Sequence, residues 1–422
     1  MPGVTGAFLN AASHHPTPNG TSLVRGLLHL VSLEQAAGVE SHFTEFVIQA
    51  RAARPDWTQG WLNPSRKLHP YFAARLNDAL AQRIDAKYWH GIKVPSPLRA
   101  ARCRSALRRA RIDSLVIWNR SAKLRYALDA VGAERCIHWE HGAAWDPGHE
   151  VDRGKYFRRV PRAIANSHAS ARVLELLWSY RGSVSVCRNA LRPSLVPSAP
   201  VHKPYPSGRV RVGVAARLYP VKGVALVLHA IRLLERQGLD VELRIAGSGP
   251  EREALEGLAD RLGIGSRVSF LGSVLDMQSF YRNVDCLVHP PLTEAFGLVA
   301  IEAAALGCPV IAAAVDGLPE AVADGVTGYT VAPTLPLAEY EGLGGARYGL
   351  PALVYDPASD SLVATPIVDP SALAAAVARL LSSAASFEAL SGRASEHVLG
   401  APSFARHVED VMAVIDESMA GR

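Results

Sequence analysis

The sequence predicts an α/β protein made of two parallel-sheet domains. Its 422 residues exceed what one hydrophobic core commonly supports, so we expect two domains of about 200 residues each. Between residues 209 and 331, short apolar strands alternate with amphipathic helices. This is the pattern of a parallel sheet covered on both faces. A stretch with five prolines at residues 193–206 predicts the linker between the halves.

The second half shows the alternation most clearly. The predicted strands are Arg209–Ala216, Asp240–Ala246, Arg267–Leu271, Asp285–His289, Pro309–Val315 and Gly328–Val331. The predicted helices are Val224–Gln237, Pro250–Leu262, Met277–Asn283, Leu298–Leu306 and Pro319–Ala323. Ligands of such sheets bind beyond the carboxyl ends of the strands.

The first half repeats this pattern less regularly. Its predicted strands are Ala7–Ala11, His42–Ile48, Ser114–Trp118, Cys136–Glu140, Ala163–Asn166 and Val184–Cys187. Its predicted helices are Thr21–Ala37, Pro70–Gln82, Ser121–Val131 and Ser170–Tyr180. We therefore divide the chain into a first domain (1–192), a linker (193–207), a second domain (208–400) and a C-terminal helix (401–422). Residues 334–368, rich in Gly, Pro and Tyr, form an insertion without helical periodicity.

The composition favours a cytosolic protein. Apolar residues make up 49% and charged residues 20% of the chain, and the five cysteines are scattered without metal-site spacing, as in a protein with reduced thiols. The first residues lack the basic start and apolar run of a signal peptide. The apolar run 295–315 could suggest a membrane span, but Gly307, Cys308 and Pro309 interrupt it, as in a buried helix followed by a strand.

Charge is distributed unevenly along the chain. Residues 1–205 contain 29 basic and 14 acidic residues, whereas residues 206–422 contain 16 basic and 25 acidic residues. A basic first half could meet an anionic membrane surface, an acidic acceptor or nucleic acid. It could equally be an arginine-rich solvated surface.

Two cations follow the first strand of the second domain. The segment 217–223 (RLYPVKG) places Arg217 and Lys222 just before a helix. Free N–H groups at a helix start and an arginine fork suit a diphosphate. A basic loop on a solvated crossover is the structural alternative.

Two carboxylates follow a later strand at a spacing of eight residues. Glu294 falls in the loop after Asp285–His289, and Glu302 falls inside the next helix. Between them, the backbone of Phe296, Gly297 and Leu298 would present N–H groups at the helix start. A carboxylate that accepts both hydroxyls of a ribose is a common recognition device, and a buried Glu302 needs such partners.

These elements together resemble the donor domain of the family-4 retaining glycosyltransferases (glycosyl transferases group 1), which have the GT-B fold. The resemblance runs from Arg209 to about Val331 and includes R-x4-K-G, G-S-G-P, E-x7-E and G-L-P-E, in that order. It implies two Rossmann-like, doubly wound parallel-sheet domains that face a cleft, with a C-terminal helix crossing back. It also implies that Arg217 and Lys222 bind the donor diphosphate.

The resemblance further implies that Glu294 contacts the transferred sugar and Glu302 the ribose. Base contacts are expected from the backbone near Gly272 and Val274. No D-x-D motif occurs in the chain, which argues against a diphosphate chelated through a metal. Neither a metal nor a cofactor is therefore expected, and Arg217, Lys222 and helix N-termini would stabilise the leaving nucleoside diphosphate.

The first domain matches the family more loosely. Gly20 stands where the family has a Gly-Gly loop facing the phosphates, and His141 stands where it has a histidine near the reaction centre. His138 and His141 could instead form part of a metal site, or His138 could be a satisfied core residue. We assign the catalytic positions to His141 and Glu294.

The sequence thus predicts a retaining hexosyltransferase that moves a sugar from a UDP- or GDP-sugar to a glycan or lipid-linked acceptor. A role in bacterial surface polysaccharide or lipopolysaccharide synthesis is expected, in the cytoplasm or at the cytoplasmic membrane face, without nucleic acid as partner. A nucleotide-sugar epimerase or glycosyl phosphorylase on the same scaffold is the first alternative. A non-catalytic nucleotide-sugar-binding module is the second.

Overall fold

A computed structural model describes residues 26–34, 38–62, 64, 67–76, 79–80, 82–84, 88–89, 92–119, 125–148 and 150–420. Elements are numbered in chain order. The strands of the first half are β1 (Gly26–Leu30), β2 (Thr58–Leu62), β3 (Gln82–Ile84), β4 (Tyr88–Trp89), β5 (Ile92–Lys93), β6 (Ser114–Trp118), β7 (Cys136–Glu140), β8 (Arg162–Ala165) and β9 (Ser183–Val186). Its helices are α1 (Gly38–Ala53), α2 (Pro70–Leu76), α3 (Ser96–Arg109), α4 (Arg125–Val131), α5 (Glu150–Phe157) and α6 (His168–Trp178).

The second half begins after residue 207. Its strands are β10 (Val210–Ala215), β11 (Val241–Ala246), β12 (Val268–Gly272), β13 (Cys286–His289), β14 (Val310–Ala313), β15 (Gly328–Val331), β16 (Leu335–Pro336), β17 (Leu353–Asp356), β18 (Ser361–Ala364) and β19 (Pro366–Ile367). Its helices are α7 (Val224–Arg236), α8 (Arg252–Arg261), α9 (Met277–Arg282), α10 (Leu298–Ala305), α11 (Leu318–Ala321), α12 (Pro370–Leu380), α13 (Ala384–Leu399) and α14 (Phe404–Ala420).

Both halves contain a parallel sheet with the same winding. The strand order is β3-β2-β1-β6-β7-β8-β9 in the first sheet and β12-β11-β10-β13-β14-β15 in the second. Each order reverses beside its first strand, at β1/β6 and at β10/β13. This is the doubly wound Rossmann arrangement, with a crevice at each reversal point. The predicted fold class is confirmed.

The C-terminal helix α14 packs on the first domain, as the fold class predicted. Its residues Phe404, Val408, Val411, Met412 and Ile415 are buried in the same apolar cluster as the α1 residues. The described chain therefore passes from the first domain into the second and returns to cover the first.

Two predictions for the first half are wrong. The expected helix Thr21–Ala37 contains strand β1, and the expected strand His42–Ile48 lies inside helix α1. Strand β1 is buried at all five positions, and such a continuous apolar run cannot be told from a buried helix by periodicity. Helix α1 is also covered by α14, so residues 42–47 are all buried, polar and apolar side chains alike. The expected strand Ala7–Ala11 lies outside the described residues.

The insertion at 334–368 forms two small antiparallel sheets, β16-β19 and β17-β18. Its first part supports the loop that follows β10, because the buried Tyr340 hydroxyl donates to the carbonyl of Pro220 at 2.6 Å. Its second part, the β17-β18 hairpin, packs against α6 of the first domain. The insertion thus touches both domains.

No single helix among the described residues is long and apolar enough to cross a membrane, although α12 taken together with the residues from Ala384 to Met419 passes that test as a pair bent by 99°. All five cysteines are buried free thiols.

Candidate active site

The second domain carries its candidate residues at the reversal point of the sheet. Strand β10 runs directly into the loop with Arg217 and Lys222, and the neighbouring strand β13 runs into the loop with Glu294. The carboxyl ends of adjacent parallel strands meet at one edge, so residues 72 positions apart come together. This crevice is where doubly wound sheets bind ligands.

Lys222 and Glu294 form an ion pair, and the buried His289 lies beside it. Lys222 Nζ donates to Glu294 Oε2 at 2.7 Å, and His289 Nε2 lies 3.4 Å from the same oxygen. Burial by itself would raise the pKa of Glu294, but the Lys222 ammonium and His289 hold it well below its usual range. Glu294 is therefore a carboxylate at neutral pH. About one fifth of its side chain is exposed, which leaves it accessible to a ligand.

Arg217 differs from Lys222 in being exposed. Its guanidinium lies over the Tyr219 ring at 5.3 Å from the centroid, and within the described ranges it forms no ion pair. Asp146 of the first domain is close enough to interact electrostatically with both Arg217 and Lys222. The two cations thus face the first domain, with Arg217 available to an incoming anion.

The start of helix α10 closes the space between the domains. Gly297 has φ 102°, a left-handed conformation, and a Cβ there would lie 2.6 Å from Leu318 Cδ2, so glycine is required. Leu298 begins the helix, and the first N–H groups of a helix have no partner within it. Phe296 is 4% exposed and anchors this turn in the core.

Glycines of the first domain approach this turn closely. A Cβ on Gly38, the first residue of α1, would lie 3.6 Å from Leu298 Cδ1. A Cβ on Gly142 would lie 3.5 Å from Ala295 Cβ. The starts of α1 and α10 therefore face each other across the cleft.

Glu302 is buried one turn into α10 and already has protein partners. Its Oε1 accepts from Arg192 Nε and Nη2 at 2.9 and 2.7 Å, and its Oε2 accepts from the Tyr281 hydroxyl at 3.0 Å. Arg192 belongs to the segment that leaves the first domain, so this ion pair joins that segment to helix α10. The predicted ribose contact remains a prediction: Oε1 already accepts two bonds, whereas Oε2 can still accept one more.

The loop after β7 holds His141 by backbone bonds. Asn119 Oδ1, at the end of β6, accepts the N–H groups of His141 at 3.1 Å and Ala143 at 2.8 Å. Glu140 Oε1 accepts those of Gly142 at 2.5 Å and Ala144 at 3.1 Å. Strands β6 and β7 thus fix this loop from two sides.

The His141 ring is neutral and has an unused nitrogen. It stacks on Trp118 with centroids 5.2 Å apart and an interplanar angle of 5°. Burial lowers the pKa of His141 to about 3, with smaller contributions from His407 and His138. Its buried Nε2 has no hydrogen-bond partner among the described residues. A neutral imidazole nitrogen in this position could bind a substrate hydroxyl.

His138 is a core residue whose two ring nitrogens both have hydrogen-bond partners, and it does not form a common site with His141. It hydrogen-bonds Glu140 at 2.9 Å and the Tyr156 hydroxyl at 3.2 Å. Within the described ranges, His, Cys, Asp and Glu side chains form no group of three suited to a metal ion. The expectation of metal-independent chemistry remains a prediction.

The predicted base-binding residues lie at the end of β12. Gly272 has φ 69° and its carbonyl accepts the Gly247 N–H at 2.7 Å, which ties the ends of β11 and β12 together. Val274 lines an open cavity of about 300 Å³ beside α9, shared with Leu271 and Phe280. Gly20, the remaining predicted residue, lies outside the described residues, whereas Gly38 occupies the strand-to-helix turn that faces α10.

Comparison with known proteins gives matches to the second domain. The family model for glycosyl transferases group 1 matches residues 201–339, the part that contains Arg217, Lys222, Glu294 and Glu302. Over residues 201–339 the second domain is thus similar to glycosyl transferases group 1. A D-inositol 3-phosphate glycosyltransferase of Mycobacterium bovis (strain BCG / Pasteur 1173P2) is 44% identical over 123 residues, which is 28% of this chain and 26% of that protein. The match thus spans about a quarter of the relative's length.

Solved structures resemble the chain over both domains. A glycosyltransferase from Rickettsia africae ESF-5 has a TM-score of 0.70 at 15% identity and covers 94% of this chain and 99% of its own. Anabaena HepE in complex with UDP-glucose has a TM-score of 0.65 at 18% identity, with 94% and 100% covered. WaaG, a glycosyltransferase involved in lipopolysaccharide biosynthesis, has a TM-score of 0.65 at 16% identity, with 92% and 99% covered. At these identities the likeness shows the shared GT-B fold.

Several residues of the second domain and its cleft were missed from the sequence. Asn119, Arg192 and Asp316 each bond to a predicted site residue or to its backbone. None lies in a motif with a local signature, because each acts across the domains or across strands. Gly38 had a signal: it follows the apolar run 27–33 and opens a helix, as a strand-to-helix turn does.

Proposed function

We propose that this protein is a retaining glycosyltransferase that moves a hexose-type sugar from a nucleotide-sugar to a glycan or lipid-linked acceptor. The observation that carries the proposal is the cluster of Lys222, Glu294 and His289 at the reversal point of the second domain, beside the exposed Arg217. The donor is expected to be a UDP- or GDP-sugar. HepE, one of the structural neighbours, was solved with UDP-glucose.

In the proposed reaction, charge builds on the leaving diphosphate as the glycosidic bond breaks. Arg217 and Lys222 stabilise that charge, since they lie at the crevice before any ligand arrives. Glu294 and the free Nε2 of His141 bind hydroxyls of the transferred sugar and orient it. The acceptor hydroxyl attacks from the face that the diphosphate leaves, transfers its proton to the departing phosphate oxygen, and so retains the anomeric configuration.

The donor is identified by thermal-shift screening against UDP-, GDP-, ADP- and dTDP-sugars. A true donor raises Tm by mass action, because at a hundredfold excess over Kd it adds about 3 kcal/mol to the free energy of unfolding. Product analysis by proton NMR then gives the anomeric configuration. The proposal is wrong if no nucleotide-sugar stabilises the chain. Conversion of the donor without an acceptor into an isomeric nucleotide-sugar would instead identify an epimerase.

The proposal includes an acceptor presented at the cytoplasmic membrane face, as in surface-polysaccharide synthesis. Support comes from the surface of α3 and the strand before it. Residues 92–111 contain seven basic and no acidic side chains, with Arg104, Arg108 and Arg109 exposed. In the same segment, the apolar side chains of Ile92 and Leu98 are 75% and 58% exposed. Arginines next to exposed apolar side chains suit an anionic bilayer surface.

Vesicle sedimentation tests this surface. We expect binding to vesicles that contain phosphatidylglycerol, little binding to phosphatidylcholine alone, and release by salt. Changing Arg104, Arg108 and Arg109 together to Glu should abolish it. The matched control changes three exposed arginines elsewhere, Arg209, Arg252 and Arg406. Equal binding by both triple variants would refute the membrane part of the proposal.

A further inference from the structure

Asp316 is buried where the two domains meet, in the loop after β14. Its side chain is 1% exposed, and its carboxylate accepts four hydrogen bonds. Oδ1 accepts from Trp145 Nε1 at 2.9 Å and from the Tyr355 N–H at 2.7 Å. Oδ2 accepts from the Thr293 hydroxyl at 2.5 Å and from the Glu294 N–H at 3.0 Å. Each carboxylate oxygen thus accepts two hydrogen bonds.

These four donors come from three parts of the molecule. Thr293 and Glu294 belong to the candidate site, Trp145 follows the His141 loop of the first domain, and Tyr355 belongs to the inserted hairpin. The neighbouring Gly317 N–H donates to the Glu294 carbonyl at 3.0 Å. Both peptide groups of Glu294 are therefore fixed by residues 316 and 317.

The hairpin that supplies Tyr355 is itself fastened to the first domain. Arg172 of α6 forms two bonds with the carboxylate of Asp360, at 2.8 and 3.0 Å. The Tyr355 hydroxyl donates to the same carboxylate at 2.9 Å. Glu320, beyond Asp316, accepts the N–H groups of His168 and Ala169 at the start of α6. A continuous set of contacts thus joins α6 to the backbone of Glu294.

A carboxylate is a costly residue for a purely structural turn. Asp316 has φ 47°, a conformation that glycine adopts without strain and without burying a charge. Burial raises the pKa of Asp316 to about 7, while the hydrogen bonds from Thr293, Tyr355, Glu294 and Trp145 oppose this. The charged form is the one that accepts four bonds. The cost is explained if those bonds set the geometry of the site.

We propose that Asp316 is a positioning residue for the transfer reaction: it holds the Glu294 backbone in register with the first domain through Trp145, with the β17-β18 hairpin as its support. This inference rests on the proposed function. When the first domain is docked, the indole N–H completes the carboxylate's partners and Glu294 is fixed for the sugar. When the domains separate, that bond is lost and Glu294 loosens. The insertion stabilises the docked state.

Asp316→Asn is the direct test. Asn tolerates positive φ, but its amide has only one oxygen that accepts hydrogen bonds. The two donors that bond to the other carboxylate oxygen in the wild type therefore lose their acceptor. We expect amide hydrogen exchange at Glu294 to accelerate about tenfold or more in the unliganded protein. We also expect kcat with the donor found by thermal shift to fall about tenfold, with Kd for its nucleoside diphosphate within about twofold of wild type. The matched control is Asp356→Asn, an exposed carboxylate that bonds only within the hairpin turn.

Trp145→Phe provides a second test that does not touch the carboxylate. It keeps the aromatic packing and removes one N–H donor, so the same two changes are expected in smaller size. Trp61→Phe removes a comparable buried indole bond, to the Val31 carbonyl, and should change neither. If Asp316→Asn and Trp145→Phe lower Tm but leave Glu294 exchange and kcat unchanged, the role is structural and the inference is wrong. If the wild-type protein turns over no donor, the proposed function and the catalytic part of this inference are both wrong. If the wild type is active and kcat is unchanged in these variants, only the inference is wrong.

Discussion

The two sides of the cleft share a strand order but differ in their chemistry. The second domain presents ionised groups, with Arg217 exposed and Lys222 paired to Glu294. The first domain presents a neutral His141 that stacks on Trp118 and is surrounded by other buried rings. One reversal point is charged and the other is aromatic.

This difference teaches how one fold can divide a transfer reaction. A diphosphate needs fixed charges, which a loop at the end of a strand can supply while it stays close to water. A sugar and its acceptor need shape and hydroxyl partners, which a dry aromatic surface supplies with a neutral imidazole. Substitutions on the charged side should therefore affect donor binding and leaving-group chemistry, and those on the aromatic side should affect turnover or folding.

The largest effect is expected for Arg217→Ala. Loss of the exposed guanidinium removes charge stabilisation from the leaving diphosphate, so kcat/KM should fall about 100-fold or more while Tm stays within about 2 °C. Arg209→Ala is the control, since Arg209 pairs with Asp240 at the opposite end of β10. Activity within about threefold of wild type would show that the phosphate assignment is wrong.

His141→Asn should affect turnover without affecting nucleotide binding. The amide keeps a polar group on the loop but moves it away from the position of Nε2, so we expect kcat to fall about tenfold to 100-fold. Calorimetric titration should give an unchanged Kd for the nucleoside diphosphate, because that ligand is assigned to the second domain. His397→Asn, at the exposed end of α13, is the control. An equal loss of nucleotide affinity would contradict the division between the two sides.

Glu302 should account for ribose recognition on the charged side. The wild-type protein is expected to bind the nucleoside diphosphate of its donor about tenfold more tightly than the 2′-deoxy form, since one hydroxyl contact to a carboxylate is lost. Glu302→Gln should reduce that preference. Comparison of two ligands within each variant cancels the effect of disturbing Arg192. Equal affinity of wild type for both ligands would refute the ribose assignment.

Acid should unfold the aromatic side first. Burial lowers the pKa of His29 and His407 to about 4, and holds that of His42 well below its ordinary value. These groups are neutral when folded and take up protons near pH 6.5 when unfolded, so stability present above about pH 6.5 is lost as the pH falls toward 4. Between pH 7 and pH 5 we expect calorimetry to show a Tm decrease of roughly 5–10 °C.

A variant and a probe sharpen the acid prediction. His407→Gln should be less stable at neutral pH because it loses the contact with His42, but its Tm should depend less on pH. His397→Gln should follow the wild type. Hydrogen exchange should accelerate in α1 and α14 before it does in β10 and β13. Simultaneous loss of protection in both domains would contradict this order.

The second domain was predictable because its signals are local. Its parallel strands are short apolar or alternating runs bounded by turns, and Arg217, Lys222 and Glu294 lie in the loops that follow strand ends. The rule that ligands bind at the carboxyl ends then brings these residues together. The spacing of Glu294 and Glu302 places one in a loop and the other inside a helix, as observed.

The first domain was harder to predict because its packing depends on distant parts of the chain. Residues 42–48 were predicted as a strand, whereas in the structure they lie in helix α1, which is covered by α14 and contacts it through His42 and His407. Likewise, Asn119 and Glu140 fix the His141 loop through bonds to backbone N–H groups. Such bonds leave no periodic trace in the sequence, because the donors are main-chain atoms.

The sequence by itself determined the α/β class, the order of elements in the second domain and the charged residues at its crevice, because strand periodicity and strand-end loops are local properties. Only the tertiary structure decided which groups those residues meet. It paired Lys222 with Glu294, Arg192 with Glu302 and Trp145 with Asp316, across 72, 110 and 171 residues of chain. The first contact arises where two strands of one sheet end side by side, and the other two arise from the docking of the domains. No local pattern encodes such contacts.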